Sequence, residues 1–187
     1  MFIDLTLKIT PRMVVDAQGN EKKSLAGHLG THFDVMNKEF PLDYLERKGI
    51  VFDVSGIEDR DIDLDDLDLE RVQEGLFVAV YTGFIDREGY GSRTYFSQHP
   101  QLSPKLIAAL LDKGISIVGV DCAGIRRGAE HALTDQTCAD RGVFVVENLC
   151  NLKRLLSGDK VKEFIANTYP VNYADMTGLP CRVVAKI

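Results

Sequence analysis

The chain has 187 residues, 45% hydrophobic and 27% charged, with a net charge of −6 at pH 7. A domain of this length buries a full core. The acidic balance argues against a general nucleic-acid binder, and no apolar run approaches the roughly 20 residues that span a bilayer.

The opening MFIDLTLKITPRM alternates apolar and polar residues and predicts a strand ending near Pro11. It has neither the basic start nor the long apolar stretch of a secretory signal, so a cytoplasmic protein is expected. Cys122, Cys138, Cys150 and Cys181 form no C-x-x-C pair and read as reduced, buried thiols, with disulfides or a zinc–thiolate site as the alternative.

The next segment, GHLGTHFDVMNKEF over 27–40, holds two of the four histidines. On a helix His28 and His32 share a face and Asp34 points elsewhere. On a strand all three share a face, but the histidines stand about 13 Å apart at ~3.3 Å per residue. A tight bend between them followed by extended chain gathers all three. Gly30 sits at that bend, and Thr31 can tie its hydroxyl to a nearby backbone group. The pattern suits a metal site; two histidines in an ordinary turn is the alternative.

Residues 49–54 (GIVFDV) and 76–82 (LFVAVYT) read as strands. The acidic 58–70 segment between them lacks the glycine and glutamate of a calcium loop and predicts a solvated connector leading to a helix start. Residues 83–99 predict a long loop. It carries Phe84, Tyr90, Tyr95 and Phe96, which could stack on an aromatic substrate, pack internally or form a subunit contact. His99 reads as a structural or pocket-lining residue. Ser103 and Pro104 start a helix with an apolar stripe at Leu106, Ile107, Leu110 and Leu111, closed by Gly114. Strand 115–121, helix 131–140 and strand 143–147 follow. A hairpin is expected from 164–171 and 182–187 across a Thr-Gly-Leu-Pro turn. The whole predicts a mixed sheet with helices on one side. Cys122 and His131 could form a nucleophilic pair; a buried thiol is the simpler reading.

H-x-G-T-H-x-D over His28–Asp34 resembles the signature of the cyclase-like metal-dependent hydrolases, which include bacterial kynurenine formamidases and isatin hydrolases. IDLTLKI at 3–9, LSPKLIAALLDKGISIVGVD at 102–121, His131, VVENL at 145–149 and GLPCRVVA at 178–185 resemble further family segments in the same order. The resemblance implies a single α/β (α+β) domain over 1–187, a three-layer β/β/α swivelling-domain-type fold with a barrel-like mixed sheet. It implies a homo-oligomer, dimer or tetramer, acting on a small-molecule substrate.

It also implies that His28, His32, Asp34 and Glu147 hold one divalent ion; zinc, manganese or ferrous iron all suit such donors. The family motif continues to a proline and a third histidine, which are Met36 and Lys38 here. An ammonium repels a dication, so a second metal is not expected. Lys38 instead becomes a candidate for steadying an oxyanion or a substrate carboxylate, or a solvated partner of Glu39. His131 becomes the acid–base catalyst, or a ligand if two ions bind. The expected activity is hydrolysis of a C–N bond in an amide, formamide or cyclic amide by a metal-activated water. A lactone or ester hydrolase, a cyclase, or a non-catalytic relative with a structural metal are the alternatives.

Overall fold

The computed structural model describes residues 1–24 and 26–187. Among them the strands are β1 (Phe2–Asp4), β2 (His32–Asp34), β3 (Glu46–Asp53), β4 (Phe77–Tyr81), β5 (Ile117–Val120), β6 (Phe144–Glu147), β7 (Val161–Pro170) and β8 (Gly178–Lys186). The helices are α1 (Pro11–Ala17), α2 (Glu21–Ser24), α3 (Phe84–Glu88), α4 (Arg93–Ser97), α5 (Pro104–Asp112), α6 (Glu130–Asp140) and α7 (Leu152–Leu156).

The strands form one sheet in the order β1-β8-β2-β6-β5-β4-β3-β7, and β7 pairs back onto β8. This closes seven strands into a barrel with β1 attached to β8. The run β3-β4-β5-β6 is parallel, and the remaining pairings are antiparallel.

The parallel strands are apolar on both faces because both faces are buried. Ile50, Phe52, Val78, Val80, Val118, Val120 and Val145 point outward against α5, packing with Leu106, Ile107, Leu110 and Leu111. The alternate residues Val51, Phe77, Ala79, Ile117, Phe144 and Val146 fill the barrel with Phe33, Phe164, Leu179 and Val183. Period-two alternation thus writes two cores into one run of valines and phenylalanines. The α5 start forms as the sequence predicts: the Ser103 hydroxyl accepts from the Leu106 amide at 3.0 Å, and Pro104 opens the helix.

Several elements differ from expectation. β1 ends at Asp4 instead of reaching Pro11. Pro11 instead opens α1, with Thr10 capping through the Met13 amide, because proline needs no donor in a first turn. The 83–99 segment holds α3 and α4, pulled into order by the fully buried Tyr95 stacked on Phe84. The acidic connector folds as two short 3₁₀ turns, and Asp66 pairs with Arg60 through two hydrogen bonds of 2.6 and 2.7 Å. The predicted hairpin is present as β7–β8, but both strands start earlier than expected, at Val161 and Gly178, so Gly178, Leu179 and Pro180 of the expected turn lie inside β8 and residues 171–177 make the connection. All four cysteines are free thiols. No helix among the described residues is long and apolar enough to cross a membrane.

Candidate metal centre

β2 places His32 and Asp34 on one face, two residues apart, while Phe33 turns into the barrel. The β2–β6 register sets Glu147 directly opposite His32. His28 precedes a bend at Gly30, whose φ of +72° suits glycine; a Cβ there would meet the Ile9 side chain at 2.4 Å. The bend brings His28 Nδ1 to 3.0 Å from His32 Nε2 and 3.1 Å from Asp34 Oδ1. His32 Nε2 lies 3.6 Å from both Asp34 Oδ1 and Glu147 Oε2.

Thr31 holds the bend, though through distant partners. Its hydroxyl donates to the Asn148 carbonyl and accepts from the Leu7 amide, both at 2.8 Å. Asn148, in a left-handed conformation with φ +58°, gives its amide to the Gly30 carbonyl at 2.9 Å and accepts from the Tyr95 hydroxyl at 2.7 Å. The Tyr90 hydroxyl accepts from the Gly30 amide at 3.1 Å. Two of the loop aromatics therefore support the ligand loop. Phe96 is the one that lines the cavity.

Each histidine ties one ring nitrogen to an oxygen outside the cluster. His32 Nδ1 donates to the Gly30 carbonyl at 2.8 Å, and His131 Nδ1 to the Arg126 carbonyl at 3.1 Å. His28 Nε2 bonds Thr177 Oγ1 at 2.9 Å. A carbonyl only accepts, so the facing nitrogens of His32 and His131 keep their lone pairs when neutral, and Thr177 can fix His28 likewise. This is how metal-ligating imidazoles are oriented. It leaves His28 Nδ1 and His32 Nε2 as two lone pairs turned toward one another and toward carboxylates, a set that a cation satisfies.

The second half of the site lies on α6 across from β2. His131 Nε2 is 3.3 Å from Asp135 Oδ2 and 3.5 Å from Glu147 Oε1. Two donor groups result, His28–His32–Asp34 and His131–Asp135–Glu147, each with its ligand atoms within 4.8 Å of one another. Glu147 reaches both groups, one oxygen to each. Asp34, Asp135 and Glu147 are 1%, 2% and 4% exposed, and Asp34 Oδ2, Asp135 Oδ1 and Glu147 Oε1 have no hydrogen-bond partner. Buried carboxylate oxygens without partners are costly, and a cation is the partner that three of them facing one cavity would share.

The electrostatics follow. Burial, then the nearby Asp34 and Asp135 charges, pushes the Glu147 pKa well above the carboxylate range. Burial and Asp34 do the same to Asp135. Burial opposes ionisation of Asp34 too, but in the absence of a cation a protonated His32, with hydrogen bonds donated by His28 and His32 in place of their cluster-side lone pairs, holds it well below its ordinary value. Burial works against a charged His32, and Asp34 outweighs it, raising its pKa.

Five of the six residues singled out from the sequence, His28, His32, Asp34, His131 and Glu147, line one cavity of about 660 Å³. Lys38 does not join them. Its ammonium pairs with Asp140 at the end of α6, 2.7 Å away, and lines a separate groove with Phe40 and Leu42. It takes this acid in place of the expected Glu39, two residues after a left-handed turn at Met36, φ +56°. Lys38→Ala is expected to leave metal affinity and turnover within about threefold and stability within about 0.5 kcal/mol, as for an exposed pair; titration calorimetry and urea unfolding check this.

Cys122 is not paired with His131. Its thiol lies fully buried, 3.4 Å from the Gly124 carbonyl, and burial raises its pKa well above the usual thiol value, the reverse of an activated nucleophile. His99 lines the cavity with Nδ1 on the Pro100 carbonyl at 2.9 Å, and burial lowers its pKa to about 4. Sequence reasoning missed Asp135, Asn148 and Thr177, and it named Tyr95 among the loop aromatics without its bond to Asn148. Only Asp135 had a signal: it stands four residues after His131 on one helix, so both share a face.

A barrel wall facing a helix, with two histidine–carboxylate groups that could hold a metal ion between them, defines a mixed α/β protein. The Cyclase family model matches residues 3–126, more than half of the chain, and the chain belongs to that family. Among solved structures it is similar to a "Potential Metal-Dependent Hydrolase With Cyclase Activity", at 25% identity and a TM-score of 0.76 over 99% of this chain and 96% of that one. It is similar to the "predicted metal-dependent hydrolase from Bacillus stearothermophilus" at 23% identity and a TM-score of 0.72, covering 99% and 97%. Isatin hydrolase A from Labrenzia aggregata, bound to benzyl benzoate, shares the fold at 18% identity and a TM-score of 0.74, covering 99% and 93%. No curated protein matches the chain.

Proposed function

We propose that the protein hydrolyses a C–N bond in an amide, formamide or cyclic amide. The observation that carries the metal reading is the pair His28 Nδ1 and His32 Nε2, 3.0 Å apart and aimed at buried carboxylates. His28, His32, Asp34 and Glu147 would hold a divalent ion, and their mixed nitrogen and oxygen donors suit zinc, manganese or ferrous iron. Such an ion, when bound, polarises a substrate carbonyl and supplies an activated water.

The chain's own residues do the rest. Thr31, Asn148 and Tyr95 fix the ligand loop, so the donors need no reorganisation when substrate enters. His131, its Nδ1 held by the Arg126 carbonyl, presents only Nε2 to the cavity. With one ion bound, that nitrogen can hold the proton an amide's leaving nitrogen requires.

A second reading is favoured by Asp135: His131, Asp135 and Glu147 hold a second ion. The acid on α6 then does what the family's third histidine does, and Lys38 in that position is no obstacle. Metal analysis of wild type and Asp135→Asn separates the two readings. About two ions per chain falling to one supports the second site. One ion in both leaves His131 as the proton carrier. No ion in either, with zinc or manganese supplied, removes the metal reading altogether.

Assays of formanilides, isatin and small lactones with each metal test the bond class. Isatin belongs in the panel because an isatin hydrolase shares the fold. Turnover confined to lactones would make the protein an ester-type hydrolase; metal binding without turnover would point to a structural ion.

A further inference from the structure

The cavity is charged in two opposite ways. Its floor is acidic, built from Asp34, Asp135 and Glu147, while Lys22, Lys23 and Arg127 line its upper part. The chain as a whole is acidic, with 28 Asp and Glu against 22 Lys and Arg. Three cations gathered at one cavity therefore run against the average surface.

Lys23 and Arg127 flank the last turn of α4. The Lys23 ammonium lies 4.3 Å from the Phe96 ring centroid and 5.7 Å from that of Tyr90. The Arg127 guanidinium makes one long contact, 3.5 Å, to the carbonyl of the next residue, Ser97. Seven of the eleven arginines pair with carboxylates: Arg12, Arg60, Arg71, Arg87, Arg126, Arg141 and Arg182. Among the described residues Arg127 and Lys23 have no such ion pair, although both are partly buried. A half-buried guanidinium gives up water at some cost, and a forked carboxylate contact recovers it. Phe96, Met36 and Ala123 supply apolar surface in the same cavity.

We infer that the substrate carries a carboxylate, held by Arg127 and Lys23 on this wall, with an apolar or aryl body against Phe96 and its scissile carbonyl on the floor. The inference rests on the hydrolase reading of the floor and adds the substrate class: a small acidic amide, of the kind represented by an N-formyl aminobenzoate. The two ends of such a molecule match the two signs of the cavity. The wall takes the anion, and the floor, once it holds a cation, takes the carbonyl.

The experiment uses the full chain loaded with manganese or zinc. N-formyl-2-aminobenzoate is compared with its methyl ester as substrates, and 2-aminobenzoate with 2-aminobenzamide as ligands in titration calorimetry. Wild type is expected to favour the carboxylate at least tenfold, in kcat/KM mainly through KM, and in Kd. In Arg127→Gln the carboxylate-over-neutral ratio is expected to fall at least tenfold, with Arg127→Lys recovering part of it. The ratio cancels any loss of folded or metal-loaded protein common to both ligands. Equal handling of the acid and its neutral partner by wild type overturns the inference, even if both are hydrolysed well. A preference that survives in Arg127→Gln also overturns it, because the floor metal would then be taking the carboxylate. A binding preference lost in Arg127→Gln, with no turnover of either compound, would sustain the anion wall and sink the hydrolase reading instead.

Discussion

Glu147→Gln is expected to make the metal-free protein more stable and the metal-loaded protein nearly inactive. Glu147 lies opposite His32 in the sheet, with Oε2 3.6 Å from His32 and Oε1 3.5 Å from His131. Without a cation Glu147 must either bury its charge beside Asp34 and Asp135 or take up a proton against its ordinary pKa, and Oε1 has no hydrogen bond. Burying such a carboxylate costs a few kcal/mol after relaxation. Glutamine occupies the same volume without the charge, and its amide can donate to the lone pair of a facing imidazole. The expected gain is about 1–3 kcal/mol in the presence of chelator, or a rise in Tm of about 2–12 °C at this chain length. With metal supplied the order reverses. A ligand has been weakened, affinity falls by about 10²-fold or more, and the stabilisation that a bound ion gives the folded state falls with it. Turnover should drop by at least about 10²-fold. Thermal melts with chelator and with manganese, run on both chains, give the four numbers needed. If Glu147→Gln destabilises the metal-free protein, the cluster is satisfied internally and the case for a resident cation fails.

That reversal separates two kinds of information in the sequence. The candidate donors His28, His32 and Asp34 are legible because a single bent segment brings them together, and their spacing suits neither a plain helix nor a plain strand. Glu147 is legible through its resemblance to a family segment, and the β2–β6 register supplies the physical reason for its place. Asp135 escaped because it reaches the centre only when α6 lies against β6, a contact that local pattern does not encode. Lys38 misled for the complementary reason. Its motif position suggested the cavity, but it follows a left-handed turn at Met36 and pairs with Asp140 in a separate groove. The same division holds for the fold. The two-faced apolar runs of β4, β5 and β6 announce buried strands, and the Ser103–Pro104 start announces α5. The short helices α3 and α4 have little helical signal of their own. They are ordered by Tyr95, whose ring is buried by Phe84 and whose hydroxyl is claimed by Asn148 fifty-three positions away. Thr31 was expected to brace its own turn, whereas it joins Leu7 to Asn148 and so ties the His28–Asp34 segment to two remote segments.

Gly27→Ala should be the most damaging small substitution in the chain, although Gly27 offers no side chain to the centre. Its φ is +83°, which costs an L-residue about 1–2 kcal/mol. The larger problem is contact: a Cβ there would lie 1.9 Å from the Gly178 carbonyl oxygen and 2.7 Å from its carbon. Both are backbone atoms, so no side chain can swing aside. Two strands of main chain cross here, joined by the Gly178 amide to the Ala26 carbonyl at 2.8 Å. One leads directly to His28. The other follows Thr177, which holds His28 Nε2, and opens β8, where Gly178 pairs with Asp34. Relieving the clash therefore moves His28, Thr177 or the partner of Asp34. The expected cost is above about 3 kcal/mol, with metal affinity reduced by at least about tenfold. Gly89→Ala is the control. Its φ of +71° is similar, but nothing lies within 4 Å of the added methyl, so only the backbone cost of about 1 kcal/mol should appear, with metal binding retained. Urea unfolding with chelator and manganese titration of the two variants measure both effects. Equal losses at the two positions would mean that backbone angle alone explains Gly27, and that the crossing of the two strands does not set the position of His28.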